Sequence, residues 1–444
     1  MSAPGRRLLK LKYISIEDDP SQPFAHTFPL CLSGTHLPEL HIIRLQDVDW
    51  DRHRLHTDFF TYLAHFTSVR CLTLSHCTLR SADDLRRLVN SLPRLAYLAL
   101  KGVDVKQSTF AVERGTVDRA RVRELNIGFH PSCTPLLSLC TAYTSVTLVI
   151  IDLSYFPSLA QVQRVVSAFS SLNHLRLEYV HKSSMNTNSA DDDMWPPASS
   201  ITLAADAYWH SKTLVLSLAT FQIDGLPSVQ IEAVLRWLVA TRSSSTIEEL
   251  EIGFRDAPTE SVQSTVADLL QRLGRKLVRF RCGRLGVSKA DVAFAEYLPP
   301  LEYSIGLRTL QLHTRVNDDS KTLRKTRTTI LTVLSRIQTP YLEKLVLGFT
   351  LDFGLSATST ACDEPNAAEI DPAALEITHS ILARRVFANL SPQGVYIRFY
   401  APDEAMRVIS EVITTIMPKL FAPWFARRLV VMKTPDQTSI PITE

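Results

Sequence analysis

The feature of this sequence that most constrains its fold is a short apolar pattern that recurs along most of the chain. The pattern reads apolar-x-x-apolar-x-apolar, and its first copies lie at residues 11–16, 40–45 and 69–74, with steps of 29 residues. The next four steps measure 26, 27, 24 and 26 residues, and later steps measure between 30 and 52. The remaining copies lie at residues 95–100, 122–127, 146–151, 172–177, 247–252, 277–282, 307–312 and 342–347, with weaker copies at 213–218 and 394–399. Recurrence at this spacing predicts an array of similar structural units, each packed against its neighbours.

Each copy of the pattern has the local character of a short β-strand. Its last four positions alternate between apolar and other residues, which is the period of a strand with one buried face. Steps of 24 to 30 residues between L-x-x-L-x-L cores are the signature of leucine-rich repeats. Because the chain must return before the next parallel strand begins, each strand needs a crossover segment, which is usually a helix. We therefore predict an α/β leucine-rich-repeat solenoid (horseshoe), with a parallel sheet on its concave face and helices on its convex face.

The segments between the strands carry helix start and stop signals. Residues 81–84 (SADD) have the pattern of a capping box, and apolar residues follow them at helical spacing. Ser158 and Ser228 likewise precede segments with helical periodicity, and Thr259 opens another that Gly274 is placed to end. The crossovers should therefore be helical, and each repeat should complete the core of its neighbour.

Two polar segments interrupt the regular spacing. Residues 183–200 carry three consecutive aspartates and two adjacent prolines, and residues 350–371 contain several acidic residues and no basic one. We expect both to be mobile surface loops, and the second to be a disordered acidic insert. The predicted organisation is a solenoid over residues 1–349 that includes the first insert, then the acidic insert, then a final irregular repeat and a C-terminal helical cap over 372–444. The cap should contain an amphipathic helix that follows Asp403.

The composition excludes several classes of protein. With 45% hydrophobic and 21% charged residues, the chain is not expected to be disordered. The net charge of +3 provides no general attraction to nucleic acid or to a membrane, and no apolar run approaches the roughly 20 residues of a membrane span. Residues 1–12 lack the apolar core of a signal peptide, and the seven cysteines are odd in number and widely spaced. We therefore expect a monomeric protein of the cytoplasm or nucleus, with free thiols.

No catalytic or cofactor-binding motif stands out along the chain. The H-E-x-x-H, G-x-S-x-G, phosphate-loop and dinucleotide-loop patterns are all absent from the sequence. One group of residues on neighbouring repeats offers metal-ligand side chains, namely His53, His56, His65, Cys71, His76 and Cys77. No C-x-x-C pair supports a closed zinc site there, so ordinary loop and core positions are the favoured interpretation. The sequence predicts no enzyme activity, no cofactor and no metal, with an enzyme site in an insert loop as the alternative.

The repeats also resemble those of a known family. Irregular copies such as residues 92–100 (LPRLAYLAL) are similar to the repeats of large fungal F-box/leucine-rich-repeat-like proteins. That resemblance implies a ubiquitin-ligase substrate receptor, in which an F-box binds a Skp1-type adaptor and the repeats hold the target. Residues 37–40 (LPEL) imitate the opening of an F-box, but the same frame at 92–95 leads into a repeat strand, and we interpret 37–45 as a repeat. The resemblance therefore implies a Skp1-type adaptor only if an F-box lies upstream or has become degenerate.

A run of basic residues accompanies one of the later repeats. Residues 272–289 contain seven lysines and arginines and no acidic residue. Within this run, Arg279 and Arg281 alternate with apolar residues and should point to the concave face. Glu249 and Glu251 occupy the same positions one repeat earlier, and parallel strands lie about 4.8 Å apart. Two interpretations stay open: a docking patch for an acidic partner or an RNA backbone, and a ladder of ion pairs across the strands, which is favoured.

The repeat frame also selects the residues that should line the concave face. Mixed charges, amides and aromatic side chains on a wide sheet suit the recognition of a protein. The candidate partner-binding residues are His174, Arg176, Glu249, Glu251, Arg279, Arg281, Gln311, His313, Tyr396, Arg398 and Tyr400. We predict a non-enzymatic protein-interaction scaffold. The resemblance to F-box/leucine-rich-repeat-like proteins implies that it is the target-binding arm of an F-box-type receptor. A repeat scaffold with no ubiquitin link is the alternative.

Overall fold

The structure is a computed structural model in which short parallel strands alternate with helices and turns. It describes residues 10–19, 23–107, 121–130, 133–179, 215–255, 258–283, 300–317, 331–352, 372–400 and 417–433. The chain divides into two compact units, Met1–Leu218 and Ala219–Glu444. Each unit has its own set of paired strands and its own buried apolar residues.

The described residues of the first unit contain nine short strands. They are β1 (Tyr13–Glu17), β2 (Ile42–Gln46), β3 (Cys71–Ser75), β4 (Thr78–Ser81), β5 (Tyr97–Lys101), β6 (Asp104–Gln107), β7 (Glu124–Gly128), β8 (Leu148–Asp152) and β9 (His174–Glu178). Seven of them pair in parallel in the order β1-β2-β3-β5-β7-β8-β9, and β4 pairs in parallel with β6. The register places Cys71 beside Tyr97 and Tyr97 beside Glu124. Equivalent positions of successive repeat copies thus lie side by side, as in the parallel sheet that the repeats predict.

Helices connect the strands of the first unit and cover its core. The described ones are α1 (Phe28–Cys31), α2 (Phe59–Leu63), α3 (Ala82–Asn90), α4 (Thr134–Thr141) and α5 (Leu159–Ser167). The Ser81 hydroxyl accepts a hydrogen bond from the backbone N–H of Asp84 (3.3 Å), and the Asp84 carboxylate accepts one from the backbone N–H of Ser81 (3.2 Å). This reciprocal pair is the capping box that the sequence predicts. The apolar face of α3 is buried, as are inward-facing strand residues such as Leu72 and Leu98.

One turn recurs after three neighbouring strands of the first unit. Asp47, His76 and Gly102 follow β2, β3 and β5, and their φ angles are 56°, 52° and 60°. Each donates its backbone N–H to a carbonyl of the next strand in the sheet, over 2.9, 2.7 and 2.5 Å. A glycine adopts this left-handed conformation without strain, whereas a residue with a β-carbon does so at a cost of about 1–2 kcal/mol. The sequence pattern did not predict this turn, nor the short strands β4 and β6 that follow it.

The described residues of the second unit contain seven strands, each paired in parallel with the next. They are β10 (Thr220–Leu226), β11 (Glu249–Phe254), β12 (Arg279–Gly283), β13 (Thr309–Asn317), β14 (Lys344–Asp352), β15 (Val395–Tyr400) and β16 (Val430–Lys433). The predicted repeat copy at residues 213–218 is wrong. The strand begins at Thr220 instead, and Leu218, Phe221 and Ile223 carry the apolar pattern and are fully buried. β16 is an additional strand, beyond the repeat that the sequence predicts to be the last.

Helices also connect the strands of the second unit, and its first three named helices are longer than those described in the first unit. The named helices are α6 (Ser228–Val239), α7 (Glu260–Leu273), α8 (Pro372–Leu382), α9 (Met417–Leu420) and α10 (Ala422–Ala426), and residues 331–336 are also helical. Thr259 caps α7 by accepting a hydrogen bond from the backbone N–H of Val262 (3.3 Å), and Gly274 ends it with a φ of 49°, as predicted. Ser228 is the first helical residue of α6 and Pro227 occupies the cap position, so the predicted serine cap is wrong there.

Most of the predicted inserts and part of the predicted cap lie outside the described residues. This applies to 183–200, to 353–371 and to the helix expected after Asp403 as far as residue 416. β14 continues to Asp352 and so includes the first residues of the segment predicted as an acidic insert. In the described part of the cap, the buried indole N–H of Trp424 donates a hydrogen bond to the carbonyl of Leu382 (2.9 Å) and fastens α10 to α8.

The repeated strand–crossover unit, the parallel registers and the shared apolar layer define a leucine-rich-repeat solenoid of the α/β class. This is the fold class that the repeat spacing predicts. None of the helices in the described ranges has both the length and the apolar character needed to cross a membrane.

Candidate functional site

Alternate strand residues of the second unit point away from its core, and we call the surface that they form the open face. Parallel registers arrange these residues in rows across the strands. The first row holds Thr220, Glu249, Arg279, Thr309 and Lys344, the second Gln222, Glu251, Arg281, Gln311, Val346 and Tyr396, and the third Gly283, His313, Gly348, Arg398 and Lys433. Tyr400 lies one row further on, beside Thr350. All the predicted partner-binding residues except His174 and Arg176 therefore belong to this one face.

Two ion pairs join β11 to β12 on the open face. Arg279 Nη1 lies 2.7 Å from Glu249 Oε1, and Arg281 Nη1 lies 2.9 Å from Glu251 Oε1. We call these four residues the ion-pair ladder, and their contacts confirm the favoured interpretation of the basic run for Arg279 and Arg281. The Glu251–Arg281 pair is the less exposed one, with 18% and 35% of its side chains accessible against 40% and 61% in the other pair. Each positive charge of the ladder is thus balanced by a neighbouring carboxylate.

A shallow groove of about 170 Å³ lies over the ladder. It is lined by polar side chains of β10, β11, β12 and β13 and reaches the strands at Leu250 and Phe280, whose side chains are buried in the core. Sites for small molecules typically enclose about 300–1,000 Å³ and bury most of the ligand. The groove therefore accommodates a side chain of a protein partner better than a free metabolite.

His313 is almost completely buried although it lies on the open face, with 6% of its surface exposed. Two glycines make room for it. A β-carbon at Gly283 would lie 2.4 Å from the His313 β-carbon, and one at Gly348 would lie 2.4 Å from His313 Nδ1. The ring is hydrogen-bonded to the amide nitrogen of Gln311 (2.5 Å from Nε2), and its centroid lies 5.8 Å from that of Tyr400. His313 is thus packed against the two adjacent strands and against the ring of Tyr400.

The environment of His313 disfavours its protonation. Burial, together with the positive charges of Arg281 and Arg398, lowers the pKa of His313 from 6.5 to about 4. The imidazole is therefore neutral at physiological pH. Arg281 belongs to β12 and Arg398 to β15. The ring of His313 therefore lies between the ion-pair ladder and the cations of the later strands.

Three cations lie on the strands beyond His313, and we call Lys344, Arg398 and Lys433 the cationic patch. Lys344 Nζ lies 4.9 Å from the ring centroid of Tyr396, and the guanidinium carbon of Arg398 lies 5.9 Å from the same centroid. Both distances are within the range of about 6 Å for cation–π attraction. Among the side chains that the structure describes, no carboxylate lies within ion-pair distance of these three groups. The patch is therefore positively charged, in contrast to the ladder.

The other two predicted partner-binding residues, His174 and Arg176, lie on β9 in the first unit. There Arg176 Nη2 lies 3.3 Å from Glu178 Oε2.

The group of histidines and cysteines considered for a metal is also in the first unit. In the described ranges of the chain, no three His, Cys, Asp or Glu side chains come close enough together to hold a metal ion. Burial raises the pKa of Cys77 to about 11, which is the behaviour of a core thiol rather than of a metal ligand.

Sequence reasoning did not identify Gly283, Gly348 or Lys433 as parts of this surface. A glycine at an outward position of a strand signals close approach of another group. That signal was present at Gly283, one residue after a predicted strand core, and it becomes meaningful once His313 is known to lie on the next strand. Lys433 belongs to β16, which the pattern did not predict.

Comparison with known proteins shows little similarity in sequence. No protein-family model and no curated protein matches the chain. Among solved structures, it is similar to a chain in the crystal structure of a TLR13–ssRNA13 complex, with 14% sequence identity and a TM-score of 0.39. The similarity covers 97% of this chain and 49% of that chain, so this protein spans about half of its length. The repeats and the sheet define the class of protein here, a leucine-rich-repeat scaffold of the kind that supports protein interaction.

Proposed function

We propose that this protein is a non-enzymatic protein-interaction scaffold that binds its target through the open face of its second unit. The observation that carries the proposal is the set of tyrosine, arginine and lysine side chains held in register on that face. Tyrosine and arginine dominate the binding energy of many protein interfaces. The shallowness of the groove also favours a protein over a small molecule.

A narrower role follows from the family resemblance alone. We propose that the repeats are the target-binding arm of an F-box-type ubiquitin-ligase receptor, because residues 92–100 resemble fungal F-box/leucine-rich-repeat-like proteins. A scaffold with no ubiquitin link would present the same open face. The two roles differ in whether a Skp1-type adaptor accompanies the protein when its natural full-length form is purified from cells. Recovery of the target without any such adaptor would favour the scaffold with no ubiquitin link.

The scaffold proposal is tested by locating the binding surface. Affinity purification followed by mass spectrometry identifies a partner, and calorimetry with the purified partner then measures its affinity. The variant to compare with the wild type carries alanine at Arg279, Arg281, Tyr396, Arg398 and Tyr400. We expect it to lose binding while its far-UV circular dichroism stays unchanged. Ile377→Ala is the control, because Ile377 lies on α8 and is 60% exposed outside the open face. Binding that survives all five alanines would refute the assignment of the partner to the open face.

A further inference from the structure

Charge is distributed unevenly across the open face of the second unit. On β11 and β12, every described charged side chain of the face belongs to the ion-pair ladder. Within the three rows, the charged side chains that β14, β15 and β16 contribute are Lys344, Arg398 and Lys433, and none of them is acidic. A surface with an excess of one charge attracts partners of the opposite charge.

The cationic patch is held in place before any partner arrives. Tyr396 projects between Lys344 and Arg398, so that one aromatic ring orients both cations. The Nε atom of Arg398 is buried and has no hydrogen-bond partner among the described residues, which shows that the stem of the side chain lies within the packed surface. A side chain that is already ordered loses less conformational entropy when it binds.

His313 contributes to the same arrangement from beneath. Its ring is neutral and buried, so it fills the space between Arg281 and Arg398 without adding another positive charge. Gly348, which pairs with Arg398, leaves room for the ring, since a β-carbon there would meet Nδ1. Arg281 and Arg398 therefore both lie near a neutral ring and not near a third positive charge.

We propose that the cationic patch binds an acidic segment of a protein partner, whose carboxylates pair with Arg398 and Lys344 on the two sides of Tyr396. This inference rests on the proposed function and names the chemistry of the partner. Carboxylates at positions i and i+2 of an extended segment lie on one side of it, roughly 7 Å apart. Arg398 and Lys344, which lie beside the ring of Tyr396, can therefore reach both carboxylates. The motif that we expect in the partner is therefore acid-x-acid, in an extended conformation.

A defined peptide tests this inference independently of the natural partner. The probe is a fluorescein-labelled peptide of alternating glutamate and serine, and the reference probe has glutamine in place of each glutamate. Binding to the full chain is followed by fluorescence anisotropy at low and at physiological salt. We expect the glutamate peptide to bind and the glutamine peptide not to bind. Arg398→Gln should weaken the binding at least tenfold and Lys344→Gln severalfold, because each removes a charge-assisted contact.

Arg272→Gln is the matched control, since it removes one arginine of the same unit outside the open face. Arg272 lies on α7, where its Nε is 3.0 Å from Asp268 Oδ1, so its loss should leave the affinity for the peptide unchanged within a factor of two. Circular dichroism should show that all variants are folded. If Arg272→Gln weakened binding as much as Arg398→Gln, the attraction would be a general effect of charge and the inference would be refuted.

Three further outcomes would overturn the inference. The first is that oligouridine RNA competes as well as the peptide and depends equally on Arg398, which would assign the patch to nucleic acid. The peptide could bind only after deletion of residues 353–371, whose acidic residues are Asp363, Glu364, Glu369 and Asp371; the patch would then belong to this acidic segment of the chain itself. Lastly, the peptide could fail to bind at all. If the five alanines still abolished binding of the natural partner in that case, the proposed function would stand and only the acidic motif would fall.

Discussion

The titration of His313 provides the sharpest test of the structure around the open face. Its pKa is lowered from 6.5 to about 4, mainly by burial and to a smaller extent by the positive charges of Arg281 and Arg398. Since the folded-state pKa lies below the unfolded one, the unfolded chain binds more protons between these two values. The contribution of His313 to stability is therefore fully present above about pH 6.5 and is lost as the pH falls towards 4.

The size of this effect follows from the two pKa values. One pKa unit corresponds to about 1.4 kcal/mol, so at pH 4.5 the loss of stability due to His313 should be roughly 2.5 kcal/mol. Urea unfolding of the wild type and of His313→Gln is measured at pH 7.5 and at pH 4.5. The comparison isolates the contribution of His313 to the loss of stability, because the other titrating groups are common to both proteins. The wild type should lose more stability on acidification than the variant does, by about this amount.

A direct measurement of the pKa checks the physical cause. In an NMR titration of the histidine Cε1 resonances, Arg281→Met and Arg398→Met should each raise the pKa of His313, because each removes a nearby positive charge. Lys344→Met is the control and should leave that pKa where it is. Titration of His313 near 6.5 in the wild type, or an equal acid response of wild type and His313→Gln, would refute the proposed burial between the two glycine-containing strands.

Three other expectations concern the ladder, the turns and the core. A double-mutant cycle with Glu251→Gln and Arg281→Met should give a coupling energy of about 1 kcal/mol in urea unfolding, at the upper end for partly exposed pairs; a value near zero would contradict the ladder. Gly102→Ala should destabilise the protein by about 1–2 kcal/mol, since φ is 60° there and a β-carbon would lie 2.7 Å from His76 Nδ1; an unchanged melting temperature would argue against the turn. Leu98→Asp should cost several kcal/mol by burying an unpaired charge, and a protein that still melts like the wild type would disprove the placement of Leu98 in the core.

The strands and the ladder could be predicted from sequence because both follow from one repeated frame. Alternation within each copy fixes which residues face inward, and equivalent positions of successive copies must become neighbours in a parallel sheet. The pairing of Glu249 with Arg279 and of Glu251 with Arg281 is a direct consequence. A constant repeat frame thus turns a spacing in sequence into a contact in space.

The same reasoning failed at residues 213–223, where two alternative copies of the repeat pattern overlap. Residues 213–218 begin with a threonine and fit the apolar pattern only in part, whereas residues 218–223 fit it in full, and the two copies overlap at Leu218. The choice depends on pairing with β11, where Phe221 lies beside Leu250, and on the complete burial of Leu218. Those are long-range interactions that the pattern does not contain.

His313 shows a second limit of reasoning from the sequence. By position it belongs to the outward-facing set, and the sequence therefore predicts an exposed side chain. It is buried because Gly283 and Gly348, on the two adjacent strands, leave the space that other side chains would fill. Recognising this requires the register of three strands at once, whose repeat steps are 30 and 35 residues. The outward position of a residue fixes its direction but not its accessibility.

These contacts also indicate that binding energy will be shared unequally among the candidate residues. A partner carboxylate that approaches Arg281 must compete with Glu251, which already lies 2.9 Å away, so the new pair is offset by the weakening of the existing one. Arg398 has no competing carboxylate among the described side chains, and its stem is already fixed beside Tyr396. A new pair with Arg398 therefore adds to the binding energy without removing an older contact. For this reason we expect Arg398 and Tyr396 to form the centre of the interface, with the ladder as a nearly neutral border that excludes water.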